Sequence, residues 1–131
     1  MFSMIIYSSK RRFEVWRWGV GHAMLLLRSV HLKGEPRIGV LFKPAYALCL
    51  PQLLLDGLEI AEPHVIGTPE AVRLALGRDL KASDHFYTLK SGAVAGWVVA
   101  ASLSGRQGDK KASDPTMFDG WSPEEGVVEL F

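Results

Sequence analysis

The sequence predicts an α+β domain that is mainly antiparallel β: a curled sheet, roll or barrel of about seven strands with one main short helix. Three observations carry this reading. Short runs rich in Val, Ile, Phe, Tyr and Trp recur along the chain, separated by Gly, Pro and polar residues. One segment alone has helix punctuation at both of its ends. The connections are short, which favours neighbouring strands that curl into a closed or nearly closed sheet. At 131 residues the chain has the usual size of one domain, spanning 1–131, and enough surface to bury a core without a disulfide or a metal.

Taken in order, residues 13–20 alternate. Glu14, Trp16, Trp18 and Val20 share one face of a strand and Phe13, Val15 and Arg17 the other. Gly19 and Gly21 mark a bend. Residues 23–32 form a second strand, Lys33-Gly34-Glu35-Pro36 a turn, and residues 37–43 a third strand. Pro44 permits a bulge or a break before a strand at 46–50. The stretches 24–27 and 40–42 are apolar on both faces, so these strands are expected to be covered on both sides. Trp16, Leu25, Leu27, Val40 and Phe42 are expected in the core. Short strands follow at 58–60 and 64–66.

The helix is expected over 69–76. Thr68 suits the N-cap and Pro69 the first helical position. Glu70 favours the positive end of the dipole, and Gly77 suits a left-handed C-cap. Ala71, Val72, Ala75 and Leu76 form its apolar stripe. Residues 85–90, a Ser91-Gly92 turn and residues 93–103 read as a hairpin, although the alanine-rich second arm also suits a buried helix. Residues 105–115 read as a polar loop. Ser122-Pro123-Glu124-Glu125 can start one helical turn, and 127–131 a closing strand.

Composition narrows the class. The net charge is +1, but residues 1–43 hold eight basic and two acidic residues, and the remainder seven basic and twelve acidic. Such halves usually neutralise each other in the fold. The apolar runs 44–55 and 92–103 are well short of the ~20 residues of a spanning helix. At the N-terminus, Lys10, Arg11 and Arg12 follow the apolar patch 4–7, whereas an export signal places its charges first. The expected location is the cytoplasm, with no membrane association. Cys49, the one cysteine, sits in an apolar run and is expected to be buried and inert.

Two stretches, Trp16-Arg17-Trp18-Gly19-Val20-Gly21-His22 and Leu25-Leu26-Leu27-Arg28-Ser29, precede a segment ending Leu41-Phe42-Lys43, then Leu50-Pro51 and Gly57-Leu58-Glu59-Ile60. Over residues 13–60 this order resembles a group of small, uncharacterised bacterial proteins with an aromatic strand, a histidine, then a Leu-Leu-Leu-Arg-Ser strand. Gly21 stands where that group has a serine. The resemblance implies no activity.

No phosphate loop, nucleophile elbow or metal-spaced histidine pair is present, so no catalytic residue, metal or cofactor is called for. The candidate ligand-binding residues are Trp16, Trp18, His22 and Arg28. An arginine inside an apolar run must find a partner, and a guanidinium stacks well on indole. That constellation either lines a small-ligand or enzyme pocket, or is structural, with Arg28 paired to Glu14 or Glu59 and the tryptophans in the core. Lys10-Arg11-Arg12-Phe13 with Arg17, Trp16 and Trp18 resembles a single-strand nucleic-acid surface, but a pI near 7.9 is low for one. Phe118 and Trp121, in a loop of turn residues, either plug the core or touch a partner. The leading expectation is a non-catalytic interaction module, most simply a homodimer paired through sheet edges, with an immunity-type role as one example.

Overall fold

The computed structural model describes residues 3–19, 23–52, 54–92, 94–108 and 128–131. The strands are β1 (Ser3–Gly19), β2 (Met24–Ser29), β3 (Arg37–Phe42), β4 (Ala45–Cys49), β5 (Leu54–Pro63), β6 (His85–Ser91), β7 (Val94–Ala100), β8 (Leu103–Gly108) and β9 (Val128–Glu129). One helix, α1 (Glu70–Leu76), stands between β5 and β6. All pairings are antiparallel, in one sheet ordered β4-β7-β6-β5-β1-β2-β3-β8-β9. The fold is therefore α+β and mainly antiparallel, curled but not closed into a barrel.

The curl has two causes. The first is β1, a 17-residue strand whose register slips three times: between Ile5 and Tyr7 and between Ser9 and Arg12 against β5, and between Val15 and Arg17 against β2. Each bulge bends the strand and increases its twist. The second is a corner. Lys43 N–H donates to Ser102 O at 3.1 Å and Ala101 N–H to Pro44 O at 3.0 Å, while Ser102 Oγ–H donates to Lys43 O. The β3·β8 ladder thus runs on into the β4·β7 ladder around a bend.

Inside the curl lies the core. Phe13, Leu25, Leu27, Val40, Phe42, Leu55, Ile60, Tyr87 and Val98 are buried there, with Phe42 edge-on to Tyr87 at 5.7 Å. Each such aliphatic or aromatic side chain contributes about 1.5–3 kcal/mol on leaving water. On the opposite face, Leu26, Ala47, Val72 and Val99 are also buried, α1 packing there against β4. Coverage on both sides explains the uninterrupted apolar runs of β2 and β7. Residues 94–100 are strand, not helix.

Several expectations are corrected. The helix ends as expected on Gly77 (φ 71°), and Val72 is its buried contact, but Ala71 and Ala75 are exposed. Thr68 does not cap it: Pro69 holds the N-cap, and the Thr68 hydroxyl accepts Leu80 N–H at 2.8 Å instead. Residues 64–66 are not a strand, and β5 runs from 54 to 63. Residues 105–108, the start of the expected loop, belong to β8 (Leu103–Gly108), which pairs with β3 through glycines at 105 and 108. Cys49 is exposed rather than buried: it is the last residue of β4, and β4 lies at the end of the sheet. Trp16 is also outside the core. Val20, Gly21, His22, Met117, Phe118, Trp121 and the helix start at 122–125 lie outside the described residues. No helix among the described residues is long and apolar enough to cross a membrane.

Candidate functional site

Arg28 sits on β2 between core residues Leu27 and Ser29, with its side chain on the face away from them. Register builds a row across five strands on that face: Glu14 on β1, Arg28 on β2, Gly39 on β3, Arg106 on β8 and Glu129 on β9. Arg28 Nη2 donates to Glu14 Oε1 at 3.3 Å, and Arg106 Nη2 to Glu129 Oε1 at 3.5 Å. Arg37, two residues before Gly39 on the same face, is buried as well. None of the three arginines is without a partner. A buried charge is tolerated only when paired, so this row is a set of held cations.

The Arg28 guanidinium also lies over Trp16, with Cζ 3.1 Å from the ring centre. Trp16 arrives there because it is the extra residue of the β1 bulge: Val15 pairs with Leu27 and Arg17 with Leu26. The slip reverses the expected alternation beyond residue 15. Arg17 comes opposite Leu26 on the outer face and Trp18 opposite Leu25 on the inner, so Trp16 and Trp18 do not share a face. Neither is core: Trp16 is 43% exposed and Trp18 46%. The structure thus brings Trp16, Arg28 and Glu14 together, places Trp18 on the other side, and describes nothing of His22.

Arg28, only 8% exposed, has its charge committed to Glu14 and Trp16. What remains available is the outer π-face of Trp16, an indole fixed from below and open above. Leu54, which pairs with Glu14 from the other side, is half exposed on the same face. Such a surface supports contact and stacking, not proton transfer or nucleophilic attack.

The basic segment is divided. Arg11 donates inward to main-chain and hydroxyl oxygens, Arg12 pairs with Asp56 at 3.4 Å, and Glu14 intervenes before Trp16. A continuous basic and aromatic track along β1 is not formed.

Sequence reasoning missed three groups. Arg37 and Arg106 lie in strands beside glycines, and that neighbouring absence of side chains is the signal that room exists for a buried guanidinium. Glu62 Oε2 lies 2.8 Å from His85 Nδ1, and His85 stacks on Tyr87 at 5.9 Å. Burial, and secondarily the Glu62 charge, push the Tyr87 hydroxyl up to about 12. Beside α1, the Arg78 hydrogen bond at 2.6 Å holds the Asp84 carboxyl below the usual range, and Arg78 also lies over Tyr46 at 5.7 Å. No group of three metal-ligating side chains occurs among the described residues. No protein-family model, curated protein or solved structure matches the chain.

Proposed function

We propose that this chain is a non-catalytic interaction module that pairs with a second copy of itself through the outer surface of β1. The observation that carries the reading is the Trp16 indole, held against Arg28 at 3.1 Å yet 43% exposed. Side chains already immobilised lose little entropy on binding, and tryptophan and arginine dominate the energetic centres of interfaces. Leu54 extends the apolar surface, and Phe118 and Trp121 are further proposed contacts. A net charge of +1 sets no strong repulsion between copies. The single cysteine, with no disulfide partner in its own chain, supports a cytoplasmic setting.

Sedimentation equilibrium at micromolar concentration tests this directly. A stable dimer of at least ~1,000 Å² buried is expected. Trp16→Ala and Leu54→Asp should each weaken self-association by about 30-fold or more while leaving the circular dichroism unchanged. A monomer in the parent protein, or a dimer indifferent to both changes, overturns the proposal.

A further inference from the structure

Midway along β1, Ser9 pairs with Leu58 and Arg12 with Asp56, so Lys10 and Arg11 together oppose Gly57. Gly57 takes φ 86°, which glycine alone adopts without strain, and the bulge turns consecutive basic side chains out of the strand's alternation. Arg11 reaches toward β2. Its Nη1 donates to Pro36 O at 2.8 Å, and its Nη2 to Val30 O at 3.2 Å and Ser29 Oγ at 3.3 Å. Every one of these acceptors is neutral. The Arg11 guanidinium is therefore fixed in place and, among the described residues, bonded to no carboxylate, and its buried Nε–H has no acceptor there.

Its neighbours add to the field. Lys10 forms no ion pair among the described residues. Arg12 meets Asp56 only at 3.4 Å, with both side chains mostly exposed, a pairing that contributes little. These groups surround a cleft of about 450 Å³ whose remaining wall is Val30 and the half-exposed Leu32. That volume falls within the roughly 300–1,000 Å³ of small-molecule sites. A fixed, unbalanced positive charge beside an apolar wall selects a ligand with both characters.

We propose that this cleft binds a small organic anion: a carboxylate, phosphate or sulfonate carried on an apolar ring or chain. Lys10 and Arg11 face the anionic group, Val30 and Leu32 take the apolar body, and Arg12 exchanges Asp56 for the ligand. The site is independent of the Trp16 surface.

Titration by NMR at low salt with 2-naphthalenesulfonate is the test, against the neutral 2-naphthalenemethanol, inorganic phosphate and a single-stranded oligonucleotide. The sulfonate should shift the amides of Val30 and Leu32, with the neutral analogue and phosphate each binding about tenfold more weakly or less. Because Arg11 also ties down the β2–β3 connection, the informative variants are at exposed positions. Lys10→Glu should weaken the sulfonate about tenfold and the neutral analogue little, and Leu32→Ser should weaken both. Equal binding of the neutral analogue, indifference to Lys10→Glu, absence of shifts at roughly 1 mM sulfonate, or tighter binding of the oligonucleotide each overturns the proposal.

Discussion

Arg28 and Arg106 lie on one face of the sheet, a single strand to either side of Gly39, which places no side chain between them. With Glu14 and Glu129 outside them, the row repeats the same charges in either direction from its centre. A side chain at 39 would project between two buried guanidinium groups. Gly39→Val, normally a gain in a strand, should therefore destabilise by about 1–3 kcal/mol in urea unfolding. A variant as stable as the parent would show that the row has room to spare.

Leu27 pairs with Val15 and Val40 and is fully buried in the core. Leu27→Ala should cost about 2–5 kcal/mol, the sum of lost transfer energy and residual cavity. A change within about 0.5 kcal/mol, as at surface sites, would mean the faces of β2 are misassigned.

Two glycines should respond differently to the same methyl group. At Gly96, on β7, a Cβ would come within 2.7 Å of Cys49 O, a main-chain atom with nowhere to go. At Gly105, on β8, it would run into the Phe131 ring, and a side chain can swing away. Gly96→Ala should thus disturb the β4·β7 ladder and cost more than Gly105→Ala, which instead loses the Phe131 contact with Tyr7 at 5.1 Å. Thermal unfolding of the pair reads the order directly, and the reverse order refutes it.

Tyr87 makes a pH prediction. Its hydroxyl holds its proton up to about 12 in the folded chain because burial disfavours the phenolate. The folded state binds that proton more tightly than the unfolded one, so the contribution is full below about pH 10 and is lost as pH rises from there toward 12. In Tyr87→Phe the loss of stability across that window should shrink. An equal alkaline loss in both proteins would assign the effect elsewhere.

The sequence is legible where local chemistry decides. β-branched and aromatic runs identify most of the strands, Gly77 ends the helix, and the Leu25-Leu26-Leu27 run signals a strand covered on both faces. It is illegible where pairing decides. A one-residue bulge at Trp16 leaves no local mark, yet it sends Trp16 and Trp18 to opposite faces. Residues 105–108 of β8 read as a loop because glycines at 105 and 108 carry no apolar signal, although Gly105 supplies the space that Phe131 fills. Thr68 has the chemistry of a cap and spends it on Leu80, a partner twelve residues away. Arg28 needed a carboxylate, and the choice between Glu14 and Glu59 rested on which strand stood beside β2.

The bend at Pro44 and Ser102 also bears on how the chain assembles. The ladder running through it joins Arg37 to Gly108 at one end and Cys49 to Trp97 at the other, partners 71 and 48 positions apart. None of these hydrogen bonds can form until most of the intervening chain, α1 included, has been gathered in. The loop-closure entropy comes due before the contacts repay it, which places this topology among slow, all-or-none folders. Neither half holds a complete curl: β3 and β4 find their outer neighbours only in the second half, β8 and β7. A break between α1 and β6 should leave two fragments that are each unstructured and regain the fold only when mixed.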